Sequence, residues 1–167
     1  MFKNVLVTVD GSELSEKALD YACGVVANDG VITVLSVIDI PDVAAYGMYP
    51  MPVGLDYYNQ TMTYAKTGTT DYVARVACDL REKGYTVREL VAVGDAAESI
   101  VDQAVEKNVD AIVMSTHGRT GLNQWLFGSV TQKVLNRMPC PVFVVPGLQP
   151  DPVVTAPAEE EDSETLQ

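Results

Sequence analysis

The residues whose types and spacing could do chemistry are concentrated between Met114 and Thr131, in the run Met-Ser-Thr-His-Gly-Arg-Thr-Gly-Leu-Asn-Gln-Trp-Leu-Phe-Gly-Ser-Val-Thr. Gly118 lets the backbone turn sharply and approach a ligand closely. Gly128-Ser129 opens a helix, and the N–H groups and positive dipole end of a helix start favour a phosphate. Ser129 and Thr131 add hydroxyl donors. Arg119 could reach the end of a phosphate chain or simply be solvated. A glycine-bearing loop before a helix is also an ordinary connection, so both readings stay open on these residues alone.

Asp10 is the other candidate. It closes the β-branched run Asn4–Val9 and precedes Gly11-Ser12. A carboxylate there is a candidate site residue, or could serve as a turn or helix-capping residue. His117 is the single histidine. It has no partner for a metal site, and no Ser-His-Asp or Cys-His arrangement is evident, so it reads as a loop residue. Cys23, Cys78 and Cys140 form no CxxC pair and are odd in number, which fits reduced thiols better than a disulfide frame or a zinc site.

Several phosphate motifs are missing. No GxGxxG follows the first strand and no GxxxxGK[ST] occurs, which removes the dinucleotide fingerprint and the P-loop. A phospho-receiver domain would need a carboxylate pair after strand one, an aspartate ending strand three and a lysine ending strand five. Asp10 stands alone, and Val91-Ala92-Val93 and Val144-Val145-Pro146 supply neither of the others.

The elements that must position these residues alternate along the chain. Strands are expected at Asn4–Val9, Val31–Ile38, Val87–Ala92, Asp110–Met114 and Val142–Val145. Helices are expected from Glu13 to Ala27, Thr61 to Lys83, Ala96 to Lys107 and Ser129 to Arg137. Asn28-Asp29-Gly30 reads as a turn between the first helix and the second strand. Asp39–Asn59, with Pro41, Pro50, Pro52 and four tyrosines, carries neither period and reads as a surface loop, or as a lid or partner-binding loop. Five apolar strands separated by helices imply an α/β fold, a parallel sheet covered on both faces. Ligands in such sheets sit at the carboxyl ends of strands, where the winding reverses. In the order 3-2-1-4-5 that place lies between strands one and four, beside Asp10 and Ser115. Periodicity alone does not fix the order.

Charge narrows the partners. The 167 residues carry 23 acids and 11 bases, a net charge of −12, with no basic stripe. This argues against nucleic acid and against anionic membranes as partners. Apolar runs such as Val31–Ile38 are too short to span a bilayer, and the first residues have no signal-peptide layout, so a cytoplasmic protein is expected. Residues 147–167 hold six acids and no bases and read as a disordered acidic tail after a body of residues 1–146.

That body resembles the universal stress protein family, whose nucleotide-binding members carry G-x2-G-x9-G-[ST] after the fourth strand. Here Gly118 is the second glycine, and nine residues (Arg119 to Phe127) separate it from Gly128-Ser129. Val7-Thr8-Val9-Asp10-Gly11-Ser12 resembles the family's start, and Pro139-Cys140-Pro141-Val142 its run into the last strand. One position departs: the first glycine falls on Ser115. Its Cβ crowds a close phosphate, while its hydroxyl could donate.

The resemblance implies a five-stranded, Rossmann-like sandwich of the adenine nucleotide alpha hydrolase-like type, order 3-2-1-4-5. It implies ATP, with Mg2+ or Mn2+, between strands one and four. Carried over by position, Asp10 would meet the ribose or the metal ion, and Thr8 and Val9 would lie near the nucleoside. Val37 would contact adenine. Met114, Ser115 and Gly118 would line the ribose and phosphates, with Arg119 beside them. Gly128, Ser129 and Val130 would hold the phosphates. A homodimer through Val142–Val145 is implied as well. The expected function is an ATP-binding, homodimeric stress sensor or regulator whose protein partner is unknown. Two alternatives stand beside it: a slow metal-dependent ATPase or nucleotidyl-transfer enzyme on the same fold, and a protein-interaction module that binds no nucleotide.

Overall fold

A computed structural model describes residues 1–39, 54–116 and 127–146, with residues 54–57 described by backbone alone. In chain order the elements are β1 (Phe2–Thr8), α1 (Glu13–Val25), β2 (Val26–Ile38), α2 (Gly54–Glu82), β3 (Thr86–Val93), α3 (Ala96–Glu106), β4 (Ala111–Ser115), α4 (Ser129–Arg137) and β5 (Val142–Val145). The strands form one sheet in the order β3-β2-β1-β4-β5, every pair parallel, which is the order that the resemblance implied. The expected acidic tail, 147–167, lies outside the described residues.

Successive side chains of a strand point to opposite faces, and β1 uses both. Val5 and Val7 pack with Ala18, Ala22, Val73 and Ala77 under α1 and α2. Leu6 points the other way, into Ile100, Ala104 and Val134 under α3 and α4. Burial on both faces is why β1 reads as a continuous apolar run. Leu6, Ile32, Leu35 and Ile112 are fully enclosed. Each such side chain contributes about 1.5–3 kcal/mol relative to exposure.

Two boundaries differ from expectation. α1 stops at Val25 and β2 begins at Val26, without a separate turn. Phe2 pairs with Val26, and Asn4 with Val31, so residues 27–30 bulge from β2 opposite Lys3. The turn residues are accommodated in that bulge, where the Lys3 ammonium meets the Asp29 carboxylate at 3.0 Å. α2 begins at Gly54 rather than Thr61, so the last part of the stretch expected to be irregular is helical. Residues 40–53 of that stretch lie outside the described residues. Tertiary contact overrides weak local preference here: Met62, Ala65, Thr69 and Tyr72 repeat at helical spacing on the less exposed side of α2 and lead into buried Val73, Val76 and Leu80. No described helix is long and apolar enough to cross a membrane.

Candidate functional site

The winding reverses between β1 and β4, and the carboxyl ends of these strands open into a cleft with two compartments. The inner one, about 150 Å3, is mostly apolar. Thr8, Val9, Asp10, Val37, Met114, Ser115 and Val130 all border it, which brings together seven of the residues singled out by sequence. The outer compartment, about 700 Å3, shares Asp10, Val37 and Val130 with the inner one and adds Gly128 and Ser129. Gly118 and Arg119 lie outside the described residues, as does His117.

Local chemistry fixes the β1 side. The Val9 N–H donates to the Leu35 carbonyl at 2.9 Å and holds the end of β1 against β2. Gly11 then takes φ of 83°, which favours glycine, and turns the chain into α1. Ser12 is the N-cap, its hydroxyl accepting from the Ser15 N–H at 3.1 Å. Asp10 Oδ1 accepts from the Ser12 N–H at 3.0 Å and from the Ser12 hydroxyl at 2.6 Å. These short-range bonds orient a half-buried carboxylate on the cleft wall.

The β4 side is held from beneath. Thr131 was expected to offer its hydroxyl to a ligand. It is buried instead and donates to the Ser115 carbonyl at 3.0 Å and the Thr116 carbonyl at 3.3 Å, fastening α4 to the end of β4. The Gly128 N–H donates to the Thr116 carbonyl at 2.6 Å. The donors of α4 available to an anion are therefore those of the turn that follows Gly128, which have no intrahelical acceptor. Ser129 stands exposed beside them. Ser115, at the departing position of the motif, is buried and ends β4 against Val145.

Three helices bring their amino ends to this cleft, because each follows a strand that ends there. Ser15 of α1, Ala96 of α3 and Val130 of α4 all line the inner compartment. Two of these ends are already satisfied. α1 has the Ser12 cap and Glu13 and Glu16 in its first turn. α3 has the Asp95 cap, which accepts from the Glu98 N–H at 2.9 Å, and Glu98 itself. α4 starts at Gly128 with no side-chain cap and no acid in its first turn. Among the described residues, its positive end is the one of the three with no side-chain cap and no acid in its first turn.

The structure adds residues that the sequence reading did not single out. Leu35, Ala96 and Ile100 build the apolar floor. Tyr64, Ala65, Gly68 and Thr69 of α2 wall the outer compartment. The floor residues were legible as core but not as site, since nothing local marks which core residues border a cleft. The α2 residues lie far from the motifs in sequence.

The family model of the universal stress protein family matches residues 1–146. Universal stress protein MJ0577 of Methanocaldococcus jannaschii is 29% identical over 155 residues, covering 87% of this chain and 95% of that one. The solved MJ0577 structure superposes with a TM-score of 0.76 at 27% identity, over 90% of this chain and 99% of that one. Universal stress protein YxiE of Bacillus subtilis is 29% identical over 157 residues, 87% of this chain and 99% of its own length. At the level of fold, a universal stress protein solved in complex with cAMP aligns with a TM-score of 0.57 and 21% identity, over 86% and 96% of the two chains. A family member from Arabidopsis thaliana solved with AMP bound aligns at 0.59 and 17%, over 85% and 90%. With the match running from the first residue through β5, and with the sheet order shared, this chain belongs to the universal stress protein family.

Proposed function

We propose that the protein binds ATP in the β1/β4 cleft and acts as a homodimeric cytoplasmic sensor or regulator of stress. The observation that carries this reading is the α4 amino end, which has neither cap nor acid and faces Asp10 across one cleft with an apolar floor. An adenine suits the inner compartment bordered by Thr8, Val9, Val37 and Met114, and a phosphate chain suits the N–H groups that follow Gly128. The cAMP and AMP complexes of proteins with this fold supply the same ligand chemistry: a purine, a ribose and a phosphate. Ser115 would border the ribose. Gly118 and Arg119 enter on resemblance alone.

Asp10 fits a divalent cation in company with the phosphates. Mg2+ is usually held by one or two carboxylates, with phosphate oxygens and water completing its shell. When bound, Mg2+ or Mn2+ would neutralise charge on the phosphate chain. The described cleft lining includes Asp10 and Asp39 but no lysine or arginine. ATP would act as a state-reporting ligand, shifting conformers by its differential affinity. The dimer would form through β5, a sheet edge where Phe143 stays 38% exposed. The three cysteines are free thiols, as in a reducing compartment.

Calorimetry with ATP tests the reading. Saturable binding by the wild-type chain is expected, with a loss of about tenfold or more in Gly128→Val, whose side chain would clash with the bound phosphate. The φ of −66° and ψ of 162° at Gly128 are open to valine, so the chain should still fold, with the thermal midpoint lowered by a few degrees for the poorer N-cap. Unchanged affinity in the variant counts against the placement.

A further inference from the structure

α2 takes no part in the motifs that point to nucleotide binding, yet it closes one side of the same cleft. Tyr64, Gly68 and Thr69 border the outer compartment together with Gly128 and Ser129 and do not border the inner one. Their reach is therefore limited to the part of a ligand that extends out of the inner compartment.

Gly68 is the informative residue. It sits deep inside α2, which runs from Gly54 to Glu82. Glycine weakens a helix interior more than any residue except proline. Among the described residues no packing contact demands it, because a Cβ built there meets no atom within 4 Å. Gly68 itself lines the outer compartment, so a bulky side chain there would stand at that compartment's edge. Beside it, Tyr64 leaves 77% of its surface open while bordering the cleft.

We infer that the amino-terminal half of α2 is the distal wall of the ligand site, against which the outer end of a polyphosphate chain lies. Gly68 keeps that space clear. This rests on the nucleotide reading above and makes Gly68 a specificity-determining position for the length of the phosphate chain. The base of a nucleoside would occupy the inner compartment, which α2 does not border. A triphosphate extends past the α4 turn into the space beside Tyr64, Gly68 and Thr69.

The test compares ATP with adenosine by calorimetry on the full chain and on three variants. Gly68→Leu should weaken ATP about tenfold or more through intrusion on the bound chain. Adenosine affinity should stay within about twofold, as for a site the substitution does not touch. Gly68→Gln, a polar helix former that also reaches past the Cβ, should raise the thermal midpoint through helix propensity and still weaken ATP relative to adenosine. It decides the matter if the leucine variant does not fold. Gly24→Leu is the control, since Gly24 in α1 also has open space around its Cβ and borders neither compartment. It should change neither affinity. Unchanged ATP affinity in both Gly68 variants, or equal losses of ATP and adenosine, overturns the distal wall and leaves the nucleotide reading standing. A wild-type chain that binds neither ligand removes both.

Discussion

Asp10 accepts two hydrogen bonds from Ser12 through one carboxylate oxygen, and the same residue borders both compartments of the cleft. The turn reading and the site reading of that aspartate are compatible, because the turn bonds are what aim the group. Asp95 has a different part. Its carboxylate caps α3, and its second oxygen accepts from the Lys133 ammonium of α4 at 2.9 Å. The Glu98 N–H first, and Lys133 second, hold the Asp95 carboxyl below its ordinary value. A group depressed in the folded state stabilises above its unfolded pKa, and that stabilisation is lost as pH falls through the folded value. Asp95→Ala should cost about 1 kcal/mol near neutrality as a lost cap. The exposed ion pair adds little because solvent screens it. Urea unfolding of wild type and variant should give curves that converge as pH falls below about 4, the ordinary carboxyl range. A gap as wide in acid as at neutral pH contradicts the assignment.

The α1–β2 junction shows how a helix and a strand can meet with no loop between them. Asn28, Asp29 and Gly30 have turn chemistry, and the chain uses it to bulge rather than to reverse, since the parallel partner already waits beside Val26. A Cβ on Gly30 would lie 2.7 Å from Val26 Cγ2 and 3.0 Å from the carbonyl oxygens of Ala27 and Lys3. Two of those neighbours are backbone and cannot swing aside. Gly30→Ala should therefore destabilise by about 1–3 kcal/mol, the range for overpacking. Equilibrium unfolding measures this, and a neutral result would mean that the bulge relaxes freely. Helix and strand identities were legible for α3, α4 and β5 because their apolar spacing and breakers agree. The start of α2 was not, because Gly54 and the polar residues after it have weak helical preference of their own.

At the scale of the molecule, the sheet order brings three helix starts and the ends of β1, β2 and β4 to one crevice. That convergence gathers residues far apart in sequence around one cleft. The same order leaves β3 and β5 at the edges. In β5, Phe143 packs edge-on against Phe2, with ring centres 5.7 Å apart, and keeps an exposed side. If the dimer forms through β5, Phe143→Lys should shift the sedimentation coefficient to that of a monomer while ATP still binds in calorimetry. A dimer that survives the substitution places the interface elsewhere. The ring contact with Phe2 is lost in that variant, at a cost of about 1 kcal/mol, which the fold should tolerate.

The amino-acid sequence by itself determined the alternation of strands and helices, the apolar runs of a sheet buried on both faces, and the motif that marks the start of α4. These are local properties, written in spacing and residue type within a few turns of chain. Only the tertiary structure decided which backbone donors face the cleft, because the Gly128 N–H and the Thr131 hydroxyl are engaged by carbonyls at the end of β4. Only it brought α2 to the far side of the cleft. Such facts depend on contacts between residues distant along the chain, and local preference carries no record of them.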